Sequence, residues 1–344
     1  MTAAGSRVPA AGASAPPGAR SPRVVFGMAA YHRPDTLAQV LESLLGQTYQ
    51  DFAVVIVDDH PQPDVTAIVD RYAAADPRIS YEPNPVRLGM IRNWRHAFER
   101  SLAIHPGATY FAWASDHDFW HPRWLEVLVG ELDRDPLVVL AYPQIVRIFP
   151  RYRKLITRVF DTADIPHPFA RVRATTSGLI TAGNCVYGLF RAAAIARVGG
   201  FPHVLMPDRL LLLQLALVGR FKQVPDYLWY REVSGSFSYS RQRQMLFARQ
   251  VPLYTYLPAH LQHFGVLVWR FGVLGRGRPV VGRLRGVAGA VVQLWSSTAR
   301  EIVRDDSRWR EALRRTALGR RLLPGGRVAR AQRHRSRVAA AGSR

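Results

Sequence analysis

Short apolar runs alternate along the first 230 residues with stretches whose apolar positions recur every three or four residues. Val24–Ala30 and Phe52–Val57 are near-continuous apolar runs of strand length and predict buried strands. Between them Pro34 opens a helical pattern with Leu37, Val40, Leu41, Leu44 and Leu45 on one face, and Gly46 is the expected stop. The pattern continues with a helix over Val65–Ala75, a short strand at Ile79–Tyr81, and a helix over Met90–Ala103 that gathers Ile91, Trp94, Ala97, Phe98 and Leu102. Tyr110–Ser115 predicts a further buried strand, and Pro122–Leu132 a helix with proline in its first turn. Leu137–Tyr142 reads as strand, Ile145–Phe160 as strand or hairpin, and the small, polar Thr175–Gly183 as an ordered loop. Cys185–Phe190 is then expected as strand, Arg191–Val198 as helix broken by Gly199-Gly200, Arg209–Val218 as a buried helix, and Gln223–Tyr230 as the last strand. Strand–helix alternation with strands apolar on both faces indicates a mostly parallel sheet covered by helices on both sides, an α/β fold.

The predicted strands end in polar residues. Phe52–Val57 runs into Asp58-Asp59, and Tyr110–Ser115 into Asp116-His117-Asp118. Carboxylates at the carboxyl ends of buried strands lie where open α/β sheets bind ligands. They are also the hard donors that Mg²⁺ or Mn²⁺ prefers, with substrate phosphates completing the shell. Taken alone, Asp-x-Asp is as readily a turn, and Asp208 before the Leu-rich helix is as readily an N-cap.

Charge divides the chain. Residues 241–344 hold 22 Arg, no Lys and four acidic residues, +18, while residues 1–240 carry only +4. In this basic part Leu284, Val287, Val291, Leu294, Trp295, Ile302 and Trp309 fall along one helical face. Such a stripe either lies on an anionic membrane surface or packs on the globular domain. No run is long and apolar enough to predict a transmembrane helix. The single cysteine, Cys185, excludes an internal disulfide and a multi-cysteine metal cluster, and fits a cytoplasmic setting. Residues 1–22 and 324–344 are expected to be disordered, the latter a basic tail.

Four landmarks then stand in order: Ala30-Tyr31-His32-Arg33-Pro34, Val57-Asp58-Asp59, Asn84-x-x-x-Leu88-Gly89-x-x-x-Asn93, and Asp116-His117-Asp118. With Ser43-Leu44-Leu45-Gly46-Gln47-Thr48-Tyr49, Tyr187-Gly188-Leu189-Phe190-Arg191, Pro207-Asp208 and Leu228-Trp229-Tyr230-Arg231, the chain resembles the family 2 inverting glycosyltransferases of the GT-A (Rossmann-like) fold. The resemblance covers about Val24 to Arg231. It implies a domain over 23–235 followed by a helical, Arg-rich extension over 236–323. It further implies transfer of a sugar from a UDP-, GDP- or dTDP-linked donor to the hydroxyl of a saccharide or lipid-linked acceptor, with Mg²⁺ or Mn²⁺.

Carried over position by position, Tyr31 and Asp59 would line the nucleoside pocket, and Asn84 and Arg92 would contact the nucleotide. Asp118 would ligate the metal, Asp116 would support metal and donor, and Asp208 would act as general base. His117 replaces an acid often found between the two aspartates and is expected to point away. The histidine often found after the last strand is missing from Arg231–Ser236, and Pro207 stands where an acid usually precedes the base. The rival reading is an inactive domain of this fold whose basic tail binds anionic lipid; nucleic acid is the less expected partner.

Overall fold

The structure, a computed structural model, describes residues 21–156, 159–182, 185–232, 239–247, 251–274 and 282–297. Residues 1–20 of the expected lead-in, the basic tail, and the stripe beyond Trp295 lie outside the described residues. The chain divides into two compact units, Met1–Leu294 and Trp295–Arg344, and everything below concerns the first.

Its first half follows the apolar pattern closely. Strands β1 (Val24–Ala30), β2 (Phe52–Asp58), β3 (Ile79–Pro83) and β4 (Tyr110–Ala114) alternate with helices α1 (Pro34–Leu45), α2 (Pro63–Ala75) and α3 (Met90–Ile104). The four strands are parallel, in the order β3-β2-β1-β4. Right-handed crossovers put α1 and α2 on one face and α3 on the other, because the chain reverses its direction of travel across the sheet after β3. Val24, Val25, Phe26, Val54, Val55 and Ile56 are fully buried, as strands covered on both faces require.

After β4 the sheet becomes mixed. Strand β5 (Asp118–Trp120), helix α4 (Trp124–Arg134) and the hairpin of β6 (Val138–Phe149) and β7 (Tyr152–Ile156) are followed by α5 (Pro168–Ala182), β8 (Leu189–Arg191), α6 (Ala192–Val198), α7 (Pro207–Val218) and β9 (Arg220–Glu232). The sheet runs β3-β2-β1-β4-β8-β6-β9-β5, with β7 on β6. Only β6 and β9 are parallel in this half; β4–β8, β6–β8, β6–β7 and β5–β9 are antiparallel. Four flat strand steps from β4 to β5 would span about 19 Å. The link Ser115–His117 reaches at most about 14 Å between the strand ends. The sheet therefore curls, and its last strands close over the carboxyl end of β4. Ser115-Asp116-His117 is the link that forces this closure.

Three sequence expectations change. Thr175–Gly183 is not a loop: through Ala182 it continues helix α5, since Thr176 and Ser177 hydroxyls bond back to the Val172 and Arg173 carbonyls and so satisfy themselves within the helix. Cys185–Tyr187 forms a 3₁₀ turn, leaving only Leu189–Arg191 as strand. Pro122 precedes α4 instead of opening it, because its carbonyl accepts from the Thr48 amide at 2.8 Å and Arg123 supplies the first helical acceptor.

Residues following β9 continue the same compact unit, with α8 (Tyr239–Phe247), a 3₁₀ turn at Leu253–Tyr256, α9 (Ala259–Leu267), a π-helical turn at Val268–Val273, and helix from 282. In that last helix the small residues make the close approach: an added Cβ on Gly286 would meet Phe271, and one on Gly289 would meet Leu217 at 2.9 Å, while Val287 of the stripe lies against Gly272. Ala290 is fully buried while Leu284 is 88% exposed. Small residues win the packing face because they let the helix approach closely, so Leu284 and Val291 are left outward.

Candidate active site

The carboxyl ends of β1, β2 and β3 converge on one hydrogen-bond network. Asp59, just beyond β2, accepts from the Leu88 amide (2.6 Å), the Gly89 amide (2.8 Å) and Asn84 Nδ2 (3.1 Å). Asn84 Nδ2 also donates to Asn93 Oδ1 at 2.8 Å, and Asn93 faces the carbonyls of Ala30 and Val57. Gly89 sits at φ 82, a left-handed conformation that costs other residues strain, and there it delivers its amide to Asp59. Asp59 and Asn84 thus shape the 84–89 loop. Asn84 Oδ1 is left buried without a donor. Asp58 beside them is fully buried, and desolvation raises its pKa against the lowering by the His60 amide and the Tyr81 hydroxyl.

Tyr31 rims this network. It is 44% exposed, its ring lies 5.5 Å from that of His60, and the Arg87 guanidinium stands 4.8 Å over it. Arg92, by contrast, is exposed on the first turn of α3, and its charge is felt at His203.

Asp116 ties the network to the curled half. Its Oδ2 accepts from the Tyr31 amide at 2.8 Å, its Oδ1 lies 2.8 Å from His117 Nδ1, and its carbonyl accepts from Thr36 Oγ1. Both carboxylate oxygens are engaged within the protein. His117 therefore does not point away as expected. Burial opposes its charge, but the Asp116 hydrogen bond and the Asp118 and Asp116 charges outweigh that and raise its pKa.

Asp118 is the opposite case. It is 1% exposed, and neither carboxylate oxygen has a hydrogen-bond donor among the described residues. The Ser115 hydroxyl and the Glu232 amide approach without closing a bond, and Ser115 Oγ is itself unsatisfied. Desolvation pushes the Asp118 pKa up, opposed by the charges of His117 and Arg231. Arg231 reaches it because β5 and β9 pair with Asp118 opposite Arg231. The guanidinium lies 5.5 Å over the Tyr187 ring and 5.8 Å over the Trp229 ring, which stack on each other at 4.6 Å.

Tyr187 marks where the parts meet. Burial raises its pKa, Arg231 opposes the rise, and the charges of Asp118, Asp208 and Asp116 add to it. Asp208 thus approaches the same ring from the first turn of α7. It is not the N-cap of α7: Met206 occupies that place, Pro207 is the first helical residue, and Asp208 lies in the first turn, where the helix dipole favours an acid. Asp208 keeps partial access to solvent while the surrounding protein raises its pKa by desolvation, opposed by Arg209 and by backbone amides.

Two non-glycine residues among those described have positive φ, His32 at 50° and Met206 at 49°. One follows Tyr31 and the other comes two residues before Asp208. Strain of this kind persists where the surroundings enforce it, and at Met206 the enforcing groups are visible. Gln262 Oε1 accepts from the Leu205 amide (3.1 Å), His263 Nε2 donates to the Leu205 carbonyl (2.9 Å), and Gln242 Oε1 accepts from the Met206 amide (3.3 Å). Helices α8 and α9 thereby hold the segment that carries Asp208. His263 is buried, and desolvation holds its pKa down at about 4, so it stays neutral and donates.

Residues 26–196 match the model of the family described as Glycosyl transferase family 2. The chain carries a family 2 glycosyltransferase domain. Protein CgeD of Bacillus subtilis (strain 168) is 27% identical over 122 residues, which are 35% of this chain and 28% of that protein. S. aureus TarS 1–349, solved in complex with UDP, aligns with a TM-score of 0.49 and 14% identity over 83% of this chain and 92% of its own. The mannosyltransferase PcManGT from Pyrobaculum calidifontis, in complex with GDP-Man and Mn²⁺, aligns with a TM-score of 0.49 and 17% identity over 92% of this chain and 82% of its own.

Of the expected residues, the transferase domain brings Asp116, Asp118 and Asp208 around Tyr187, and Asp59 and Asn84 into the adjoining network that Tyr31 rims; Arg92 stands apart. Sequence reasoning passed over Arg231, Asn93, Gln262 and His263. Arg231 and Asn93 end motifs already noticed. Nothing in the sequence marks the other two, whose role depends on a contact across more than 50 residues.

Proposed function

We propose that this domain moves a sugar from a nucleoside-diphosphate donor to an acceptor hydroxyl in one inverting step, with a divalent cation at Asp118. The observation that carries the reading is the buried Asp118 carboxylate without a donor. Such a group is costly unless something binds it, and its hard oxygens suit Mg²⁺ or Mn²⁺. No cluster of three or more acidic, His or Cys ligands occurs among the described residues. Asp116 is already engaged by Tyr31 and His117, which favours Asp118 as the principal protein ligand, the donor's phosphate oxygens and water supplying the rest, as is usual for Mg²⁺. When bound, the cation would neutralise charge on the departing diphosphate.

The chain's own groups account for the remainder. Tyr31 and His60 offer the base a ring surface. Arg231 stands where negative charge builds on the leaving group, and a fixed cation there lowers the barrier. Asp208, with its raised pKa, takes the proton from the acceptor hydroxyl as that oxygen bonds to the sugar carbon and the carbon–phosphate oxygen bond breaks. The proton ends on Asp208, the electron pair on the nucleoside diphosphate.

A thermal-shift screen of UDP-, GDP- and dTDP-sugars, each with and without Mn²⁺, tests this. One nucleotide class should stabilise the wild type only with the metal and should fail on Asp118→Asn. No shift with any donor would leave the inactive-domain reading. The exposed Leu253, Tyr256, Trp269 and Leu284 of the basic C-terminal region favour contact with an anionic membrane surface. Among the described residues no helix is long and apolar enough to cross a membrane. Flotation with phosphatidylglycerol vesicles should fall when Leu253 and Trp269 are changed to serine; equal flotation would refute the contact.

A further inference from the structure

The curled half of the sheet aligns charges in a row that no sequence motif displays. Lys154 on β7 pairs with Arg147 on β6, Arg147 pairs with Arg231 on β9, and Arg231 pairs with Asp118 on β5. Residues directly paired across strands project from the same face of a sheet. Lys154, Arg147 and Arg231 thus form a line of three cations that ends at the Asp118 carboxylate. The register shifts of the β6–β9 ladder all lie before Ile145 and leave this row undisturbed. The Glu232 side chain, paired with Ile148, falls on the opposite face.

Among the described residues no acidic group neutralises the row at its outer end. From Pro136 to Phe160 the sequence has five basic residues and no acidic one. Among the described residues neither Arg147 nor Lys154 takes part in an ion pair. Arg147 is half-buried, and desolvation together with the Arg231 charge disfavours its own charge. Like charges placed opposite one another across strands destabilise a sheet; an anion laid along the row removes that penalty. Two residues beyond Arg147 on the same face, the rings of Phe149 and Tyr152 stack at 4.5 Å, with Tyr152 59% exposed.

We propose that Arg147 and Lys154 bind a phosphate group carried by the saccharide acceptor. That the anion belongs to the acceptor rests on the transferase reading given above. A diphosphate at Asp118 reaches Arg231 on the neighbouring strand. Lys154 lies three strands away, roughly 14 Å, beyond the donor's diphosphate. The Phe149–Tyr152 pair offers a flat apolar face beside the phosphate for the acceptor's sugar rings.

Lys154 and Lys222 are the only lysines in the chain, which makes the row directly readable. Full-length protein is acetylated with a water-soluble N-hydroxysuccinimide ester, with and without inorganic tripolyphosphate or a hexose 1-phosphate, and labelling is quantified by mass spectrometry. Either phosphate should slow acetylation of Lys154 severalfold and leave Lys222, paired with Asp161 at 3.6 Å, unchanged. Arg147→Gln should weaken that protection about tenfold, the loss of one charged contact. Arg147→Lys should largely keep it. Arg153→Gln removes the same charge from the same hairpin, but Arg153 pairs with Ile148 on the other face, so protection should persist. Protection undiminished by Arg147→Gln, lost equally with Arg153→Gln, absent altogether, or given by phosphatidylglycerol vesicles and not by soluble phosphates would each overturn the proposal. The donor screen is read separately. Nucleotide binding without Lys154 protection refutes only this inference; protection without nucleotide binding refutes the transferase reading and leaves an anion site.

Discussion

Replacing Asp118 with asparagine should make the metal-free protein more stable while abolishing its response to metal. The carboxylate is 1% exposed and both its oxygens lack donors. A buried group left unsatisfied costs about 1–3 kcal/mol, and more when charged. The charges of His117 and Arg231 offset part of that cost. Asparagine has nearly the same shape, removes the charge, and keeps a polar amide that still lacks full partners, so only part of the penalty is recovered. A gain of about 1–2 kcal/mol is a reasonable magnitude. At about 2.1 cal/mol/K of unfolding entropy per residue, 1 kcal/mol moves the Tm of a unit this long by about 2 °C, so in EDTA the variant should melt roughly 2–4 °C above wild type.

With saturating Mn²⁺ and the nucleotide found in the donor screen, the order should invert. A ligand at one hundred times its Kd adds about 2.7 kcal/mol to the wild type and nothing to a variant that cannot bind it. Differential scanning fluorimetry at fixed pH and salt gives both numbers in one plate. A lower Tm for Asp118→Asn in EDTA would mean that the carboxylate supports the fold through Ser115 or the Glu232 amide. An equal Mn²⁺ shift in both proteins would move the metal elsewhere. Either result refutes the assignment.

Asp208→Asn should reduce kcat by about 10²–10⁴, the usual worth of a general base, with donor affinity by calorimetry unchanged; near-normal turnover would place the base elsewhere. His263→Ala removes the donor to the Leu205 carbonyl and should destabilise the protein by about 1–3 kcal/mol in urea titrations. His263→Ala should also lower kcat more than it changes the donor KM, since Met206 is no longer held at φ 49. His263 further predicts a pH effect with a definite sign. Its folded pKa of about 4 lies below its ordinary 6.5, so the unfolded chain binds more protons between those values. The stabilisation is complete above pH 6.5 and is lost as pH falls towards 4, by about 3 kcal/mol. Arg209 and His260, which face it, disfavour its protonation further, and in His263→Ala this pH slope should flatten. Gly178→Ala would set a Cβ 2.2 Å from Phe160 Cδ2, and the overpacking should outweigh the helix-propensity gain and lower Tm.

The fold's first half was legible because its signals are local. Continuous apolar runs became β1, β2 and β4, and the stripe Leu37-Val40-Leu41-Leu44 became the buried face of α1. Asp59, Asp116 and Asp118 stood out as candidates for the same reason, since each lies at a strand end, whereas Asp208 sits in the first turn of α7 and was named only through the family resemblance. Where local signals compete, the reading failed. Thr175–Ala182 looks like loop by composition, yet the Thr176 and Ser177 hydroxyls bond to the preceding turn and α5 packs on α7. For the stripe Leu284–Val291 the local pattern left both a membrane-facing and a packing role open, and close approach at Gly286 and Gly289 decided which side of that helix is buried. In both cases a tertiary contact selected between two locally acceptable states.

The candidate site adds a further lesson, because its least legible part is set by register. Asp118, Arg231, Arg147 and Lys154 come from four strands and are adjacent only because β7, β6, β9 and β5 are neighbours in the curled sheet. A slip of one residue between β6 and β9 would turn Arg147 to the opposite face and bring Ile148 or Val146 beside Arg231. The sequence departs from its family's pattern at just this place, where Arg231–Ser236 lacks the expected histidine. A guanidinium supported on the stacked rings of Tyr187 and Trp229 faces the buried carboxylate. A guanidinium there adds charge that acts on phosphate directly. If the leaving group is neutralised jointly by Arg231 and a cation held chiefly by Asp118, Arg231→Gln should increase dependence on Mn²⁺. A titration of donor turnover against Mn²⁺ should then show a higher half-saturating concentration and a lower plateau. A variant with a lower plateau and unchanged half-saturation would instead confine Arg231 to the transition state.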